Sequence, residues 1–122
     1  MTPERYNAFC AGLKATTHVF QWGGDVWKVG GKVFVIGGEG EQRPGEPGHF
    51  AASFKVSEMM FEVLREHPDC RPAPYLASRG MTWIQYWRGD AMGDDELLGL
   101  IAESHRIVAA GLPKKTQKAL GL

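Results

Sequence analysis

Cysteine is nearly missing: Cys10 and Cys70 are the only two in 122 residues. One pair so far apart is no disulfide framework, and reduced thiols are the expectation. Charge of one sign is missing too, since 14 Lys+Arg face 14 Asp+Glu. Strong sequence-independent attraction to nucleic acid, which comes from Lys and Arg displacing counterions, has no support from that balance. No apolar run approaches the ~18–20 residues of a membrane span. The start, Met-Thr-Pro-Glu-Arg-Tyr, lacks the apolar stretch of a signal peptide, so a cytoplasmic protein with no membrane partner is expected.

Catalytic and metal signatures are equally thin. His18, His49, His67 and His105 form no i, i+4 pair, and His67-Pro-Asp-Cys70 offers two ligands without partners. No metal and no cofactor are expected. Ser104 and His105 are neighbours on a predicted helix, where their side chains diverge by about 100° and cannot act as nucleophile and base together. Gly30-Gly31-Lys32 has the end of a phosphate loop, but Val26 stands where the first glycine must fall and Val33 where Ser or Thr is needed. No catalytic residue is assigned, and the chain is expected not to be an enzyme.

What is present is ordinary globular material, 43% hydrophobic and 23% charged, of a length that suits one domain over residues 1–122. Tyr6, Phe9, Cys10 and Leu13 mark one face of a helix that Thr2 and Pro3 open. Short β-rich runs follow at 19–22, 26–29 and 32–36, with Gly23-Gly24 and Gly30-Gly31 as turns. The Gly/Pro-rich stretch from Gly37 to Gly48 reads as a mobile loop of undefined role. Residues 49–55 alternate as a strand, and Ser57 caps a helix to about His67 with Met60, Phe61, Val63 and Leu64 inward. Residues 76–78 and 82–88 are expected to form a second hairpin about Arg79-Gly80. In its longer strand Trp83, Gln85 and Trp87 point one way, and Ile84 and Tyr86 the other. A long helix opens at Asp94-Asp95-Glu96, with Leu97, Leu98, Ile101, Val108 and Leu112 as its stripe and His105 as an edge-of-core residue. Gly111 and Pro113 end it, and 114–120 forms a short last helix.

The condensed order, α-β-β-β-α-β-β-α, predicts an α+β two-layer sandwich: an antiparallel sheet covered on one face by helices. The other face is then open, and aromatic or basic side chains there are not needed for the core.

Several stretches resemble one family. Trp22-Gly23-Gly24-Asp25-Val26-Trp27-Lys28-Val29-Gly30-Gly31-Lys32-Val33-Phe34 is similar to the WG…FKVGGKxFA signature of the MmcQ/YjbR family. Phe54-Lys55-Val56 resembles its next strand end, Pro72-Ala73-Pro74-Tyr75-Leu76 with Trp83 its PAPYL…W segment, and Ser104-His105-Arg106-Ile107-Val108 through Leu112-Pro113-Lys114-Lys115 its SYxLV…LPKK close. His105 stands where the family usually has Tyr. The resemblance implies a secretion-chaperone-like or frataxin-like α+β fold and DNA binding, with two β-hairpins acting as wings.

Three functional readings stay open. In the first, DNA phosphates are contacted by Lys28, Lys32, Lys55, Arg79, Arg88, Lys114 and Lys115. Trp22, Trp27, Tyr75, Trp83 and Trp87 then supply an aromatic face or pocket. In the second, the open sheet face binds a protein partner in chaperone-like fashion, as a monomer or weak homodimer. In the third, a pocket between sheet and helices holds a small anionic ligand, with Lys32, Lys55 or Arg79 as the anchor.

Overall fold

The computed structural model describes residues 1–39, 49–74, 76–89 and 91–122. Its first helix, α1 (Pro3–Ala11), starts as the sequence dictates: the Thr2 side chain accepts the Arg5 amide at 3.2 Å, and Pro3 occupies the first turn. There the missing proline N–H costs nothing. Tyr6 and Cys10 are the fully buried members of its stripe.

Six antiparallel strands follow in one sheet of order β1-β2-β3-β4-β6-β5: β1 (Thr16–Gln21), β2 (Gly24–Val29), β3 (Lys32–Glu39), β4 (Phe50–Lys55), β5 (Cys70–Pro72) and β6 (Trp83–Tyr86). The helix and strand blocks come in the expected order, with the alternating 49–55 run standing as its own strand β4. Both tight turns hold two residues at positive φ, Trp22 (54°) with Gly23 (73°) and Gly30 (57°) with Gly31 (79°). This is the twist that lets two-residue hairpins match their strands. The first turn therefore falls one residue earlier than expected, and Gly24 begins β2.

Two expectations are corrected. Gly37 and Gly38 belong to β3, not to a loop. Tyr6 explains why: a Cβ on Gly37 would lie 2.5 Å from its ring, so only glycine lets α1 sit this close to the sheet. The rest of that glycine-rich run, 40–48, lies outside the described residues. The second hairpin is also built differently. Its first arm is Cys70–Pro72, while Ala77–Arg79 is a 3-10 turn closed by Ala77 N to Ala73 O and Gly80 N to Ala77 O. Pro72 and Pro74 bracket the end of pairing on that side, since neither can donate to a ladder.

One face of the sheet carries Val35, Phe54, Ile84 and Tyr86 into the core, against α1 and α3 (Asp94–Ala110), whose Leu97, Leu98 and Ile101 are buried. Helix α2 (Glu58–Leu64) contributes less than its pattern promised: Leu64 is buried and Met60 and Phe61 pack half-buried against the core, but Val63 is exposed. Asp69 is buried, and its carboxylate accepts the Ala91 and Met92 amides at 2.8 and 2.6 Å, fixing the chain as it enters α3. Helix α4 (Lys114–Leu120) closes the fold. Its Gln117 amide donates to the Leu112 carbonyl at 2.7 Å. Among the described residues no helix is long and apolar enough to cross a membrane.

Candidate nucleic-acid interface

Strand register decides which side chains point away from the helices, because side chains alternate across a sheet. Thr17, Lys28, Lys55 and Trp83 fall on that side by register at one end of the sheet, where Lys55 and Trp83 also border the end of α3. Val19, Val26, Ile36, Ser53, Gln85 and Arg71 cross its middle. A bulge keeps this parity. Trp27 pairs with Val35 but Lys28 with Val33, which leaves Phe34 as an extra residue turned into the core. The outward strand positions thus carry Lys28, Lys55 and Arg71 and, among the described residues, no acid.

Five of the seven expected cations gather at one end of the molecule. Lys28 and Lys32 flank the Gly30-Gly31 turn. That turn is seated on the α3–α4 junction, where a Cβ on Gly30 would lie 2.5 Å from Leu112 Cδ1 and 3.3 Å from Leu120 Cδ1. Lys114 and Lys115 begin α4 two residues after Leu112. Lys32 and Lys55 line one cavity of about 360 Å³ with Trp83 and Leu112. Arg79 is exposed on the 3-10 turn, and Met81, two residues on, borders the same cavity.

No lysine makes an ion pair with a described residue. Arginines on or just after the helices do: Arg5 of α1 with Asp94 and Asp95 at 2.9 and 3.1 Å, Arg65 at the end of α2 with Glu62 at 3.5 Å, and Arg106 of α3 with Glu103. The Arg106 guanidinium holds the Glu103 carboxyl below its ordinary range. These three arginines are thereby neutralised locally, while the lysines at the sheet's end, including Lys114 and Lys115 of α4, keep their charge for the solvent.

Arg88 stands apart. Its guanidinium lies 4.2 Å and that of Arg71 4.5 Å from the centre of the Trp87 ring, a double cation–π contact on a half-buried indole. Arg71 Nε also donates to Gln85 Oε1 at 2.7 Å. Arg88 Nε is buried and has no hydrogen-bond partner among the described residues.

The expected aromatics divide. Trp22 is 69% exposed at the tip of the β1–β2 hairpin, beside Phe20 at the same value. At its foot lies a hollow of about 180 Å³, with Gly24, Gly38, Ala51 and Ser53 in its walls. Trp27 is corrected: it is buried on the helix side, where its Nε1 donates to Asn7 Oδ1 at 2.9 Å, so it is no stacking surface. Trp83 is buried to 8% exposure. Tyr75 lies outside the described residues. The free-standing wing is therefore the β1–β2 hairpin, which carries aromatics, whereas the lysine-bearing β2–β3 turn is clamped by α4.

One pairing had no signal in the sequence reading. His18 Nε2 donates to Asp25 Oδ1 at 2.8 Å, with Asn7 Nδ2 3.3 Å from the other carboxylate oxygen and the His18 ring tilted on Trp27. Seven residues separate the two, and only the hairpin's two-residue turn brings them diagonally together. Ser104 is fully buried: its Oγ donates to Phe34 O at 2.6 Å and accepts Lys55 N at 2.8 Å. His105 Nε2 donates to Lys14 O at 2.7 Å and lies edge-on to Phe34, the satisfied edge-of-core role expected of it.

A six-stranded antiparallel sheet with helices on one face and a cation-bearing outer side defines the class: a single-layer-covered α+β domain. The family model YjbR matches residues 11–107, and the chain belongs to the YjbR family. Two solved structures share the fold. A Deinococcus radiodurans protein with the DUF419 domain superposes with TM-score 0.77 at 23% identity, over 99% of this chain and 91% of that one. A Pseudomonas syringae protein gives 0.70 at 17% identity, over 88% and 98%. No protein of curated function matches the chain.

Proposed function

We propose that this protein binds DNA without catalysing a reaction on it, contacting phosphates with Lys28, Lys32, Lys55, Lys114 and Lys115 at one end of the sheet. The observation that carries the reading is the gathering of these lysines, none ion-paired to a described residue, around the Gly30-Gly31 turn and its cavity. Zero net charge does not oppose it, because phosphate contacts depend on local cations that release counterions. Trp22 and Phe20 on the projecting hairpin add an apolar edge able to lie along a groove or stack on unpaired bases.

The test is fluorescence anisotropy of a labelled ~20 bp duplex at two salt concentrations, the length set by roughly two helical turns. Micromolar or tighter binding that weakens with salt is expected, and lost in Lys28→Glu with Lys32→Glu while circular dichroism stays unchanged. No binding at low salt, or equal affinity of the double variant, overturns the reading.

A second reading has its own observation. Strand β1 is a sheet edge whose residues 17–21 are all exposed, with Val19 and Phe20 among them. Such an edge accepts an added strand from a partner protein. Sedimentation of the protein alone and with duplex separates the two, since strand addition needs no DNA.

A further inference from the structure

We propose that the cavity at the end of the sheet binds a small organic anion, a carboxylate, sulfonate or phosphate carried on an apolar body. Its volume of about 360 Å³ lies within the range of small-molecule sites. Val33 and Trp83 from the sheet and Ile107 and Leu112 from the end of α3 give it apolar walls. Among the described residues its lining holds two charged side chains, Lys32 and Lys55, and no acid. Neither ammonium is held by a described residue, so each still has its donors to give. Two like charges bordering one space repel, and an anion between them relieves that repulsion while its apolar part covers the indole and aliphatic walls.

The site is also held still. Ser104 pins the Lys55 backbone amide at 2.8 Å, and the Gly30 turn is locked against Leu112. Preorganised groups of this kind spend less entropy on binding. The inference goes beyond DNA binding and does not require it, because a free anion needs no duplex.

The experiment titrates the folded protein with the dye anilinonaphthalene sulfonate, and in parallel with phenylnaphthylamine, which has the same rings and no sulfonate. Saturable binding of one sulfonated dye per chain is expected, with the uncharged dye weaker by about tenfold or more, the effect of one lost charged contact. Lys32→Gln with Lys55→Gln should weaken the sulfonate to the level of the uncharged dye. Gly111→Leu fills the cavity from its edge. A Cβ there meets only the Val108 and Ile107 carbonyls at 3.5 and 3.8 Å, so the fold can accept it. That variant should abolish binding of the dye. Equal affinity for both dyes, an unaffected lysine variant, binding retained in Gly111→Leu, or no saturable binding would each overturn the proposal. None of these measurements contains DNA, so a failed DNA titration leaves the cavity standing, and the reverse.

Discussion

Cys10 and Cys70 show what burial does to single residues. Desolvation pushes the Cys10 thiol from its ordinary 9.0 up to about 12, and desolvation with the nearby Asp69 and Glu96 charges does the same for Cys70. Both remain free and protonated in the native state. A folded value above the unfolded one means that the stabilisation is complete below pH ~9 and is lost as pH rises towards 12, because only the unfolded thiols ionise. The slope reaches ~1.4 kcal/mol per pH unit per thiol at its steepest. Tyr6, raised by burial, adds in the same direction. Urea midpoints at pH 8 and 10.5 should therefore differ clearly in the wild type and less in Cys10→Ala. Coincident midpoints would contradict the assignment. Gly37 is the other residue-scale test. The Tyr6 ring fills the space of a Cβ and is held by its hydroxyl, which donates to Asp25 O at 2.8 Å, so it cannot swing aside freely. Gly37→Ala should cost about 1–3 kcal/mol in chemical denaturation.

Between elements, Ser104 joins α3 to two strands at once, satisfying the carbonyl of the bulged Phe34 and the last amide of β4. Ser104→Ala leaves a buried donor and acceptor unpaired, and ~2–3 kcal/mol of stability should go with them. Faster hydrogen exchange at the Lys55 amide would report the same loss locally, and an unchanged rate would show that the hydroxyl is dispensable. Ser104 also illustrates what a sequence conceals. Its position on the helix was legible, but its partners lie 70 and 49 residues away and no periodicity points to them. Strands β2, β3, β4 and β6 were legible because alternation and paired glycines are local signals. β5 was not, since three residues cannot show a period and the prolines around them read as a linker. Trp27 was misplaced for a related reason: the face of a strand is fixed only once something covers it, and here Asn7 of α1 does so. The lysines of the candidate interface were each named from the chain. Their convergence was not legible, because it depends on α4 docking on the Gly30 turn.

Across the whole molecule, equal numbers of acids and bases hide a segregation that net charge cannot express. Three arginines on or just after the helices are neutralised by carboxylates on the same or the adjoining helix, and the lysines are left together at the far end of the sheet. Association steered by long-range field should then be weak, while contact-range affinity keeps a strong salt dependence. Five phosphate contacts predict a slope of about −4.5 in a plot of log K against log salt, from ~0.9 per contact on duplex DNA. Lys28→Gln with Lys32→Gln removes two and should bring the slope to about −2.7. Lys118→Gln alters a cation that the interface does not use and should leave it unchanged. A slope insensitive to the sheet pair but reduced by Lys118 would move the contact surface to the outer side of α4. The clamped turn would then serve the fold, and its lysines the solvent.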